Sequence, residues 1–270
     1  MDGDDSSVEA AKPRIWAHRG SALLAPENTA LAFDLALELG ADVLETDVRL
    51  SRDGAVMVVH DARLERTTDG RGRVRDSSSA RIGALDAGAR FVDPDGRCWR
   101  GRGARVETLD ALLERYPDTA LSIDIKDAED AAADAVAACL ARRPGTGSVT
   151  VGSFHERTLA RFRERAPEVD TAASRAEVAA LWCGRVLPGT ARAAPRYRRL
   201  QIPPRWWGLS LATRGFIGRA AERGVDCVYW TINDPGAMRE LVRRGAAGVV
   251  TDRPDLAARA FERSAGGAAR

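Results

Sequence analysis

The chain has 270 residues, 41 basic and 39 acidic side chains, a net charge of +2 and a pI near 8.5. Its 44% hydrophobic share can fill a sizeable core, and its 30% charged share is that of a folded surface rather than of a disordered chain. Nearly cancelling charge without a dense basic block argues against a nucleic-acid partner. No apolar run of ~18 residues offers a transmembrane span, and Cys98, Cys139, Cys183 and Cys227 are too widely spaced for a zinc or redox motif.

The opening "MDGDDSSVEAAK" is acidic and polar, lacks the basic start and apolar stretch of a signal peptide, and predicts a loose N-terminus on a cytoplasmic protein. A first strand is expected at 14–18, where "RIWAHRG" ends in His18, Arg19 and Gly20. "PENT" then leads into a helix, "TALAFDLALELG", that closes on Gly40; Glu27 and Asn28 either cap this helix or belong to a site. Strands at 43–49 and 56–60 follow, the second ending in His60-Asp61.

Residues 62–105 carry many Gly, Arg and Asp and no sustained period, so they are read as an insertion that caps one end of the fold. Regular alternation then resumes. Helix "LDALLERY" stops at Pro117, a strand covers 120–126, and "AEDAAADAVAACLARRPG" is a second long helix. Strands are expected at 148–153, 170–174, 197–202, 226–232 and 247–251, with helix "DPGAMRELVRRG" closing on Gly245 before the last. His155 reads as a surface residue, "PPRWWGLS" as a loop with Trp206 and Trp207 on the rim, and the tail "SAGGAAR" as frayed. Strands alternating with helices over this length predict the α/β class and a distorted (β/α)8 TIM barrel, one domain over 1–270 with its insertion after the second strand region.

Side chains alternate along a strand, so Glu45 and Asp47 share a face with Val43 and Arg49, while Leu44, Thr46, Val48 and Leu50 share the other. The apolar face suits the helix layer, which turns two carboxylates inward, where burial is costly unless a cation or a proton joins them. By the same parity Ser122, Asp124 and Lys126 share one face of "ALSIDIKD". Working residues of such barrels gather at the C-terminal strand ends, and a set of oxygen ligands favours a hard cation, Mg²⁺ or Ca²⁺. His18 and His60 close two strands at the same rim and suit an acid and base pair near neutral pH. Arg19 and Lys126 add positive charge for a phosphate-like group.

These strings, "HRG", "PENT", "ETD", "HD", "RTTDGRGRV", "IDIK", "SF", "WTIND" and "GVVTDRP" in that order, resemble the glycerophosphodiester phosphodiesterase family from about residue 14 to residue 255. The resemblance implies a metal-dependent barrel enzyme that hydrolyses a small-molecule glycerophosphodiester to glycerol 3-phosphate and an alcohol. It makes His18 and His60 the catalytic pair, Glu45 and Asp47 metal ligands, and Arg19 and Lys126 phosphate contacts, with Trp230 near the substrate. The third ligand of the family is usually a glutamate, where this chain has Asp124, one methylene shorter; either the cation sits closer to that strand or a water bridges the gap. Glu107 stands where the family commonly has proline, which puts little in doubt. The alternatives are a lysophospholipase D, with Trp206, Trp207, Leu209 and Leu211 as an apolar groove in weak contact with a membrane surface, and a barrel that binds phosphodiesters without cleaving them.

Overall fold

The computed structural model describes residues 12–143, 145, 147–184 and 195–265. The barrel begins with β1 (Arg14–Ala17), α1 (Ala30–Glu38), β2 (Val43–Leu50) and β3 (Val56–Val58). A short 3₁₀ turn (Val74–Asp76) and α2 (Ser79–Gly83) lie in the insertion. The chain continues as α3 (Leu109–Arg115), β4 (Ala120–Ile125), α4 (Asp130–Ala141), β5 (Val149–Gly152), α5 (Glu156–Arg165), β6 (Asp170–Thr171) and α6 (Arg175–Trp182). It closes with β7 (Arg199–Ile202), β8 (Arg205–Trp206), β9 (Leu209–Ser210), α7 (Arg214–Ala221), β10 (Asp226–Tyr229), α8 (Pro235–Arg243), β11 (Gly248–Thr251) and α9 (Pro254–Ala265).

Parallel pairing runs β6-β5-β4-β2-β1-β11-β10-β7, with β3 added antiparallel to the end of β2. A parallel bridge between Ala172, just past β6, and Arg199 of β7 joins the two ends, so the sheet is a nearly closed barrel of TIM type. The nine strands expected from the sequence all form, several of them shorter than expected. The N-terminal stretch 1–11, the proline expected to end α4 and the tail 266–270 lie outside the described residues, while Ser264 and Ala265 still belong to α9.

Helices α1, α2, α3, α6, α7 and α8 start where a side chain satisfies a free N–H group of the first turn. Thr29 caps α1 by accepting from the Ala32 N–H, Asp234 caps α8 with Pro235 behind it, and Ser174 and Glu177 form a reciprocal capping box on α6. Thr29, not Asn28, is the cap of α1, which frees Asn28 for another role. Gly20 (φ +87) makes the tight turn after β1, where an added Cβ would meet the Ala32 side chain at 2.7 Å.

The alternation read in β2 holds. Leu44 and Val48 pack outward with Leu121, Ile123 and Val151 against α1, α3 and α4. Val43 turns inward to Trp16, Val228 and Val250, which form a small buried cluster inside the barrel. That plug fills one end of the barrel, and the polar residues further along the same strands line what is left open at the other. The insertion has its own core of Leu64, Val74, Ile82, Ala87 and Ala104, packed with Met57 and Val59 beside the barrel.

Candidate active site

A cavity of about 430 Å³ opens at the C-terminal ends of the strands. It is lined by all eight residues singled out in the sequence: His18, Arg19, Glu45, Asp47, His60, Asp124, Lys126 and Trp230. The register explains the convergence, since β2 and β4 pair Glu45 with Ser122 and Asp47 with Asp124, so the inward carboxylates sit side by side.

Each histidine is braced by a carboxylate that the sequence had not assigned to it. His18 Nδ1 lies 2.6 Å from Asp252 Oδ1, and His60 Nδ1 lies 2.6 Å from Asp61 Oδ1. Both acids are held below the usual carboxylate range: Asp252 by its bonds to His18 and Asn233, which outweigh its burial, and Asp61 chiefly by Arg66, down to about 2. An ionised carboxylate only accepts, so Nδ1 carries the proton in both rings and Nε2 is the nitrogen left for chemistry. The rings are poised differently. Burial works to lower the His18 pKa, but Asp252 and the charge of Glu45 outweigh it and raise it. In His60 burial wins and the pKa falls.

Asp47 is buried and saturated. Its Oδ2 accepts from Asn28 Nδ2 at 3.1 Å and sits 3.0 Å from Arg19 Nε, and its Oδ1 faces Lys126 Nζ at 2.8 Å. Burial would raise its pKa, but Lys126 and Arg19 hold it low. Lys126 also binds Asp124 Oδ2 at 2.6 Å, and these two acids raise the ammonium pKa against the effect of its burial. Glu45 receives one backbone bond, 3.0 Å from the Arg19 N–H, and has no side-chain cation in direct contact among the described residues. Burial, and after it the Asp47 charge, push its carboxyl up to about 7.

Asn28 and Glu27 both belong to the site. Buried Asn28 sits in the left-handed region (φ 57) and ties Asp47 to Thr46, whose hydroxyl donates to its Oδ1 at 2.8 Å. Glu27 accepts from Arg19 and, through both oxygens, from Arg66 of the insertion, which also binds Asp61. The insertion thus reaches the His60 brace through one arginine. Arg19, also left-handed at φ 51, keeps a buried Nε without a hydrogen-bond partner: its line to Asp47 is short but badly angled. Arg19 as a residue lines the cavity, where a guanidinium suits an anion.

The same cavity offers a donor set for a divalent cation. As placed, no three acids or imidazoles among the described residues converge on one point, because the Lys126 ammonium sits between Asp47 and Asp124. In kind the set fits. Three oxygen donors are hard ligands, and burial also raises Asp124, helped by Asp47. Two carboxylates pushed toward their neutral forms mark a rim short of positive charge.

Residues 18–256 match the sequence profile of the glycerophosphoryl diester phosphodiesterase family. The Bacillus subtilis protein YhdW is 34% identical over 249 residues, 90% of this chain and 95% of that one. A glycerophosphodiester phosphodiesterase of Caldanaerobacter subterraneus is 29% identical over 90% of this chain and 96% of its own length. Among solved structures, a glycerophosphodiester phosphodiesterase from Agrobacterium tumefaciens superposes with a TM-score of 0.74 at 31% identity, covering 92% of this chain and 99% of that one. An Oleispira antarctica phosphodiesterase in complex with the product sn-glycerol-3-phosphate superposes at 0.72 with 25% identity, covering 93% and 97%.

Proposed function

Because the chain belongs to the glycerophosphoryl diester phosphodiesterase family and is thereby a phosphoric diester hydrolase, we propose that its cavity hydrolyses a glycerophosphodiester to glycerol 3-phosphate and an alcohol with His18 and His60 as the acid and base pair. One observation carries this reading: two imidazoles, each braced at Nδ1 by a carboxylate, line one cavity with the cations of Arg19 and Lys126. A binder has no need for two braced proton carriers.

Arg19 and Lys126, both of which line the cavity, take the non-bridging phosphate oxygens and hold the phosphorus between the rings. One Nε2 accepts the proton of the attacking hydroxyl and the other returns a proton to the departing alcohol oxygen. The attacking hydroxyl is that of water, or the 2-hydroxyl of the substrate glycerol, which forms a cyclic phosphate as the alcohol leaves; water then opens that phosphate to glycerol 3-phosphate. Glu45, Asp47 and Asp124 would hold a divalent cation, Mg²⁺ or Ca²⁺, whose chemistry when bound is to offset charge on the phosphoryl oxygens. Asn28 keeps Asp47 aimed, and Trp230, standing edge-on to Phe154, walls the substrate side.

The test is glycerol 3-phosphate release from glycerophosphocholine and glycerophosphoserine by chelator-stripped protein resupplied with Mg²⁺ or Ca²⁺, run beside His18→Ala. Expected is activity that returns with the cation and falls by about 10²-fold or more in the variant. Turnover in which His18→Ala matches the parent would sink the histidine assignment.

A further inference from the structure

Beyond the phosphate-binding end, the cavity wall carries a third cation. Arg175, the first residue of α6, lines the mouth of the cavity and is exposed. Among the described residues it has no hydrogen bond or ion pair; its recorded contact is the Phe154 ring, with Cζ 5.0 Å from the centroid. Two acids that meet the start of α6 are otherwise engaged. Glu177 is bound through both oxygens by Arg163 and closes the capping box, and Glu156 Oε1 accepts from the Ala176 N–H.

Its placement is also unfavourable for a merely structural arginine. A positive charge in the first turn of a helix opposes the helix dipole and so carries a cost. An anion in front of it would remove that cost.

The ring beneath it links this arginine to the phosphate site. Lys126 Nζ lies 5.6 Å from the centroid of the same Phe154, and Phe154 is itself set edge-on to Trp230 with centroids 6.0 Å apart. Lys126 and Arg175 thus share one ring in one cavity, so a diester whose phosphate lies at Lys126 can present its alcohol half to Arg175. An aromatic wall in such a cavity would ordinarily suit a quaternary ammonium, but a ring with two cations already near it repels a third. The carboxylates of the cavity, Glu45, Asp47 and Asp124, are clustered about Lys126 rather than on α6.

We infer that Arg175, seated on Phe154, binds an acidic group on the alcohol half of the substrate, so that the enzyme selects glycerophosphodiesters whose alcohol carries a carboxylate or a second phosphate over those carrying choline. This specificity rests on the hydrolase reading above, and its test separates the two. Glycerophosphoserine and glycerophosphoethanolamine differ only by a carboxylate, and the ratio of their kcat/KM values isolates it.

The parent enzyme is expected to favour glycerophosphoserine about tenfold, the scale of one charge-assisted hydrogen bond. Arg175→Gln is expected to bring the ratio near one, chiefly through a raised KM for glycerophosphoserine, and Arg175→Lys to retain part of the preference. A parent ratio near one, or an Arg175→Gln variant that loses both substrates by the same factor, overturns the inference and leaves the hydrolase reading intact. Failure of the parent to cleave either diester with cation present overturns the hydrolase reading, and the specificity falls with it.

Discussion

Replacing Asp252 by asparagine keeps the shape beside His18 but removes the charge that fixes its Nδ1 proton, and is expected to lower kcat by about 10- to 100-fold. A readout that a folding defect does not move comes with it. Asp252 raises the His18 pKa in the folded protein, so Asp252→Asn should shift the limb of the pH–kcat/KM profile that reports His18 to lower pH and leave the other limb in place. An unmoved profile would show that Asp252 does not set the state of that ring. At this scale the sequence told half of the site. His18 and His60 were legible because each closes a strand, and Glu45, Asp47, Asp124 and Lys126 because alternation put them inward. Asp252 was not, because its contact spans 234 residues and depends on β11 pairing with β1, which brings Thr251 beside Ala17. Asn28 was misjudged as a possible cap for a related reason: the cap and the Asp47 ligand are adjacent in "PENT", and only the left-handed turn at Asn28 tells which residue faces which partner.

Among elements, the hairpin of β8 and β9 was missed altogether. Its two-residue turn, Trp207–Gly208, has φ 47 and φ 82, which is the type I′ geometry normally signalled by Asn-Gly or Asp-Gly. A tryptophan in that position hides the signal, and it is strained there, which is the kind of exception found where a side chain has work to do. Trp206 of this hairpin lines the cavity, whereas Trp207 is 93% exposed and Leu209 beside it 43%. Such an amphipathic ring at a cavity mouth suits a lipid surface. Trp207→Asn fits the turn better and removes the ring, so thermal stability should hold or rise while any cleavage of lysophosphatidylcholine in micelles falls severalfold relative to that of water-soluble glycerophosphocholine. Equal losses on both substrates would mean that the hairpin only shapes the wall through Trp206. The insertion at 62–105 was legible as an interruption but not as a structure, since its order comes from a small core and three isolated bridges rather than from any period. Its link to the site, Arg66, opened the quoted "RTTDGRGRV" run with nothing local to show that its partners were Glu27 and Asp61.

For the molecule as a whole, the barrel and the charge balance of its rim are one problem. Alternation along β2 and β4 serves the fold by giving the helices an apolar surface, and the same alternation forces Glu45, Asp47 and Asp124 into one cavity with two cations, Arg19 and Lys126. The deficit falls on Glu45, whose carboxyl titrates at about 7 rather than near 4.5. A carboxyl whose pKa is raised by folding stabilises the native state fully below its unfolded value and ceases to as pH rises through the folded one. Cation-free protein should therefore lose stability between about pH 4.5 and pH 7 through this group, and Glu45→Gln should flatten that part of the Tm–pH curve. A divalent cation at these acids reverses the balance by favouring the ionised form, so its binding must expel the Glu45 proton. Because the Glu45 pKa is raised, calorimetric titration with Mg²⁺ or Ca²⁺ at pH 7 in buffers of different ionisation enthalpy should count protons released on ion binding from this source. The count should fall toward zero by about pH 9 and vanish in Glu45→Gln. Cation binding with no buffer dependence at pH 7 would place the ion away from Glu45, and with it the reading of this rim as a site completed by a metal would fail.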